Sequence, residues 1–120
     1  MAKCDEGYLC FVCGEPVERI DHSALYLQYI IGWVDPETLH LRPDCHLRCS
    51  PALAQYIEDE HFEPVTCTGD LDRRRLDPDF VAQRVELVTR GYRRLREVSR
   101  HRRGLSVQDY PLPEARRRWS

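Results

Sequence analysis

Lysine is almost missing from this chain: one, Lys3, stands against seventeen arginines. Methionine occurs only as Met1, and phenylalanine only three times. Long apolar runs are missing too. The longest, Leu25 to Val34, is broken by Gln28 and Gly32, and a membrane-crossing helix needs about 20 apolar residues. Residues 1–6 are polar where a secretory leader would carry its apolar segment. The expectation is a cytoplasmic protein without a membrane span. In that reducing compartment, six cysteines read as metal ligands or free thiols rather than disulfides. A chain of 120 residues buries a limited core, to which a structural metal would add.

Charge is unevenly placed. Residues 1–70 hold four basic and thirteen acidic side chains, whereas residues 71–120 hold fourteen basic and seven acidic ones. The overall charge of −2 therefore conceals an acidic body and a basic C-terminal part. The division expected is a zinc-binding domain over 1–70, then a basic helix over about 78–103 with an irregular tail to 120.

The most specific pattern is Cys10-Phe11-Val12-Cys13-Gly14, followed about thirty residues later by Cys45-His46-Leu47-Arg48-Cys49. Two thiolates three positions apart can curl around one ion, and Gly14 suits the positive φ of such a turn. Phe11 and Val12 would cover one side of the ion. His46-x2-Cys49 at the start of a helix would complete a four-ligand Zn2+ site. Cys45, which makes C-x3-C with Cys49, competes with His46. Cys4 reads as a free thiol, and a four-cysteine site that uses Cys4 or Cys67 is the less favoured alternative. With four protein ligands the site is structural, leaving no open position for water.

The remaining pattern predicts an α+β chain. Large apolar residues at 25, 27, 29, 31 and 33 alternate as in a strand. Asp35-Pro36-Glu37-Thr38 reads as a turn, and 38–42 as the returning strand of a hairpin. A helix from Ser23 is the competing reading. Val17 to Ile20 reads as a short strand, and Pro64 to Cys67 as a short extended piece. Ser50-Pro51 and Asp77-Pro78 each carry an N-cap residue followed by proline. The first opens a helix to about Glu60. The second opens one with an apolar seam at Val81, Val85, Val88, Tyr92 and Leu95.

The order of knuckle, hairpin and a second ligand pair at a helix start resembles the treble-clef zinc finger, over about residues 10–60. The resemblance implies a treble-clef-like zinc-binding domain with one structural Zn2+ held by Cys10, Cys13, His46 and Cys49, followed here by a long C-terminal helix. Asp21-His22 resembles the D-H pair of the HNH-type nucleases, in which Asp21 would orient His22 as a general base. The proline expected soon after that pair is replaced by Ser23-Ala24-Leu25.

Function is expected to lie in binding, not catalysis. Arg90, Arg93, Arg94, Arg100, Arg116, Arg117 and Arg118 are candidates for contacting nucleic acid or a nucleic-acid-handling complex, because a guanidinium fork matches phosphate oxygens. The same arginines have an acidic partner within the chain. The alternative is a protein–protein adaptor or regulator, docking or self-associating through helix 78–103.

Overall fold

The structure is a computed structural model that describes residues 8–101 and 104–119; the side chains of Tyr8, Arg118 and Trp119 lie outside it. Cys4 and the contact expected of Arg118 therefore fall outside the described residues. Helix dominates. Strands β1 (Tyr8–Leu9) and β2 (Pro16–Val17) pair antiparallel on either side of the first cysteine pair, with Tyr8 opposite Val17. Helices α1 (Ala24–Ile30), α2 (Pro51–Ala54), α3 (Pro78–Arg100) and α4 (Pro113–Trp119) follow, with short 3-10 turns in the links between them. None of these helices is long and apolar enough to cross a membrane.

The hairpin expected over 25–42 is not formed. Residues 24–30 make α1, and Leu39–Leu41 is a 3-10 turn. The segment is apolar almost all round: Ala24, Leu25, Leu27, Tyr29, Ile30 and Ile31 are all buried. A helix buried on every side has no polar face, so alternation could not separate it from a strand. Its start decides the matter. Ser23 accepts the Tyr26 N–H at 3.0 Å, and the buried Asp44 carboxylate takes the Leu25 N–H at 3.2 Å. Asp44 also receives the Ser23 hydroxyl at 2.9 Å and the Cys45 N–H at 2.7 Å. The orphan donors of α1 are thus satisfied partly by its own cap, Ser23, and partly from the second ligand segment. The expected turn at 35–38 does form, closed by the Thr38 N–H on the Asp35 carbonyl at 3.0 Å.

The strand expected over 17–20 shrinks to Pro16–Val17, because Ile20–His22 winds into a 3-10 turn. Helix α2 ends at Ala54 rather than near Glu60. Beyond it the N–H groups of Tyr56 and Ile57 reach back only three residues. Thr89 of α3 then closes the segment on both sides: its hydroxyl donates to the Tyr56 carbonyl at 3.1 Å and accepts the Glu58 N–H at 3.0 Å. Residues 64–67 lie in no strand.

Helix α3 starts as expected, with Asp77 accepting the Phe80 N–H at 3.0 Å and Pro78 in the first turn. Its buried side is Val88, Tyr92, Leu95 and Val98, whereas Val81 and Val85 are only partly covered. Gly91 sits where α1 crosses. A Cβ there would fall 2.3 Å from Ile31 Cγ2 and 3.0 Å from Leu27 Cδ1. A residue that weakens an isolated helix here permits two helices to approach closely.

The C-terminal part corrects another expectation. Residues 104–119 are not irregular throughout, since Pro113 occupies the first position of α4. The chain ahead of it returns to α1: the Leu112 N–H caps the orphan Ile30 carbonyl at 2.9 Å. Tyr29 Oη–H donates to the Val107 carbonyl at 2.9 Å. Tyr110, Leu112 and Ala115 are buried as a result. One hydrophobic cluster runs from Cys10, Val17 and Ile20 through α1 to the buried side of α3 and on to Leu112.

Candidate metal centre

The first cysteine pair lies in a tight loop. The Cys10 N–H donates to the Glu15 carbonyl and the Gly14 N–H to the Cys10 carbonyl, both at 2.8 Å. Gly14 takes a φ of 80° to close it. The fold in the loop aims the N–H groups of Val12 and Cys13 at Cys10 Sγ, at 3.4 and 3.5 Å. A further backbone bond, Phe11 N–H to the Asp44 carbonyl at 3.1 Å, fastens this loop to the second ligand segment. There His46 precedes the 3-10 turn Leu47–Cys49, which brings Cys49 back onto the same side as His46.

The result is a four-membered cluster. The ligand atoms of Cys10, Cys13, His46 and Cys49 all lie within 4.8 Å of one another. His46 Nδ1 stands 3.4 Å from Cys13 Sγ and 3.8 Å from Cys49 Sγ. Metal bonds of about 2.0–2.3 Å give a tetrahedron with edges of about 3.3–3.8 Å, so these spacings suit one ion at the centre. The orientation of His46 has its own cause. Nε2 lies 3.0 Å from the Pro16 carbonyl oxygen, which can only accept, so Nε2 carries the proton and Nδ1 presents its lone pair to the thiols.

Electrostatics point the same way. Burial acts to raise the Cys10 thiol, but the N–H groups of Cys13, His46 and Val12 overcome it and hold its pKa at about 6. Burial, together with Cys10 and Cys13, pushes the Cys49 thiol up to about 12. One negative charge is thus welcome in the cluster and a further one is opposed. A cation at the centre removes that opposition, because a coordinated thiol gives up its proton.

Cys45 is not part of the cluster. It is buried in the apolar core, and desolvation, with the negative charges of Cys10 and Asp44, raises its thiol to about 11. Alternation of side-chain direction at the bridge between Ser23 and His46 turns His46 to the ion and Cys45 away from it. Cys67 is a buried thiol that points to the Thr68 carbonyl at 3.7 Å. Phe11 and Val12 do not cover the ion as expected; they project into solvent, 65% and 55% exposed, beside Leu9 at 65%.

The arginines expected to face a partner are mostly turned to their own chain. Arg90 holds Glu114 of α4 at 2.8 and 3.2 Å. Arg93 holds Asp59 at 2.8 Å. Arg94 reaches Glu97 and the carbonyls of Tyr110 and Asp109. Arg116 donates to the Pro111 carbonyl at 3.1 Å. Arg100 and Arg117 are exposed. His40 is an exposed residue of its 3-10 turn. Asp21 does not orient His22 strongly: both its oxygens accept from Arg19 at 2.9 Å, and His22 Nε2 lies 3.9 Å away.

The sequence reading missed Asp44 and the Pro16 carbonyl, the two groups that align the ligand segments. The only sign of Asp44 was its place directly before Cys45-His46, and a backbone carbonyl leaves no sign in sequence. No protein-family model, curated protein or solved structure matches this chain significantly.

Proposed function

We propose that this chain is a small zinc-dependent binding module that acts through its surface and not by catalysis. The observation that carries the reading is the convergence of Cys10, Cys13, His46 and Cys49. Three thiolates and one imidazole at tetrahedral spacing are the donor set of structural Zn2+. All four donors are protein atoms, so a bound ion has no site for substrate or water. The likeness to a treble clef then rests on the ligand spacing and the first knuckle, with α1 in place of the hairpin between the ligand pairs.

The partner in this reading is a protein. Leu9, Phe11 and Val12 form an exposed apolar knuckle tip, and the arginines at 90, 93, 94 and 116 are occupied within the chain. Self-association through α3 is one form of it, since Phe80, Val81 and Val85 carry the apolar seam onto the surface of its first turns. Nucleic-acid contact is the second reading, favoured by the exposed Arg100.

Metal analysis tests the centre. One zinc per chain is expected in the native protein and in Cys45→Ser, and a large loss in His46→Ala. A native protein purified without chelators and devoid of metal would overturn the reading. Titration with duplex DNA and with RNA at several salt concentrations separates the partners. Phosphate contacts would make log affinity fall steeply with log salt; a protein-binding module shows no such binding.

A further inference from the structure

A cavity lies beside the metal centre. His22, Arg48, His61, Phe62 and Tyr92 line a cavity of about 230 Å³ that is bordered by His46 and Cys49. Its walls and its mouth differ in character. Leu47, Phe62 and Tyr92 are buried apolar walls, fixed in place by the edge-to-face contact of Phe62 with Tyr92 at 5.2 Å and by the Tyr92 hydroxyl on the His61 carbonyl at 3.3 Å. The mouth is set by His22, Arg48 and His61, which come from three separate segments of the chain.

The carboxylates nearest this mouth, Asp21 in the cavity lining and Asp59 against His61, are each shared with an arginine outside it. Both oxygens of Asp21 are taken by Arg19 at 2.9 Å. Asp59 is held by Arg93 at 2.8 Å as well as by His61 at 3.0 Å. Arg48 is held in position and only loosely paired. Its guanidinium stacks over Phe62 at 4.7 Å and donates to the Glu63 carbonyl at 3.4 Å. Its ion pair is with the exposed Glu63 carboxylate at 3.8 Å, a solvent-screened contact that a ligand can displace. Among the described residues the carboxylate paired with His22 is Asp21, at a long 3.9 Å.

We propose that this cavity binds a small organic oxyanion, with a phosphate or carboxylate head at Arg48 and His22 and a flat apolar body against Phe62 and Tyr92. An arginine fork matches either head bidentately. The volume equals about eight waters at about 30 Å³ each. That admits a head and a single ring, and is below the roughly 300 Å³ at which pockets for larger ligands begin. Three thiolates around a divalent ion leave one negative charge at the metal centre. The head is therefore directed to the Arg48 side of the cavity and the body toward the centre.

The test uses the full zinc-loaded chain, with phenyl phosphate, benzoate and inorganic phosphate as probes, by calorimetry and by NMR of the aromatic resonances. Saturable binding of phenyl phosphate or benzoate is expected, with shifts at Phe62 and Tyr92; whichever binds more tightly identifies the head. Inorganic phosphate, which leaves the aromatic walls unused, is expected to bind about tenfold more weakly than phenyl phosphate. Arg48→Gln and His22→Gln replace half-exposed side chains, so the fold and zinc content persist. Each should weaken binding about tenfold. Should either variant lose zinc, Arg48→Lys and His22→Asn serve in its place. No saturation up to about 10 mM, a regime weaker than any useful affinity, would overturn the proposal. So would shifts confined to Arg73–Arg75, or binding undiminished in both variants.

Discussion

Replacing Gly91 by alanine adds one methyl group at the point where α1 crosses α3. On an exposed helix the change would stabilise by about 1 kcal/mol, because alanine is the better helix former. Here the new Cβ would lie 2.3 Å from Ile31 Cγ2 and 3.0 Å from Leu27 Cδ1, against about 3.5–4.0 Å for carbon atoms in contact. Leu27 can yield by changing rotamer, but Ile31 is branched at Cβ, so its Cγ2 moves only with the backbone or by leaving its preferred χ1. Overpacking of this kind costs about 1–3 kcal/mol. Set against the propensity gain, a net destabilisation of up to about 2 kcal/mol is expected. Urea denaturation with zinc held at a fixed excess measures it, since bound metal shifts apparent stability. Ile31→Ala removes the obstructing methyl group, so the two substitutions should be less harmful together than their sum by about 1 kcal/mol. A Gly91→Ala protein more stable than the parent by about 1 kcal/mol would refute the close approach of the two helices, and with it the packing of α3 on the metal-binding half of the chain.

Other contacts make similar commitments. Thr89→Val keeps the shape of the side chain but leaves the Tyr56 carbonyl and the Glu58 N–H without their partner; a loss of about 1–3 kcal/mol in the same denaturation assay is expected. The Asp59 carboxyl is raised by burial, but Arg93 and His61 outweigh this and hold it at about 2, below the ordinary aspartate value of 3.8. A depressed folded-state pKa means stability that is complete above about pH 4 and is lost as the pH falls toward 2. Because Arg93 is well exposed, the amount is about 1 kcal/mol, and Arg93→Gln should flatten the acid limb of the stability curve. Chelation of the metal should remove of order 10 kcal/mol of folding free energy and leave α1 and the ligand loops unprotected in hydrogen exchange; an apo-protein with unchanged protection would show that the fold does not depend on the ion.

What could be read from sequence was whatever depends on residues near one another. C-x2-C-G states a knuckle because a loop of that length with glycine after it has few other uses, and H-x2-C states a turn that aims two donors one way. Asp77-Pro78 and the seam through Val88, Tyr92 and Leu95 identified α3 for the same reason: a cap and a 3.6-residue period are local properties. Even the choice between Cys45 and His46 was partly visible as a spacing preference.

The tertiary structure decided the rest, because the deciding atoms come from distant positions. Asp44 reaches Ser23 and the Leu25 N–H of α1 across some twenty residues, and so helps make a helix of a segment whose own pattern alternates like a strand. The Pro16 carbonyl selects the tautomer of His46 from thirty residues away. Leu112 caps Ile30, and Glu114 and Asp59 claim Arg90 and Arg93, so a tail without periodicity becomes structured and arginines that read as a surface become internal fastenings. Composition and spacing determine which chemistry the chain carries. Which groups that chemistry meets depends on long-range hydrogen bonds and ion pairs, whose partners have no fixed separation along the sequence.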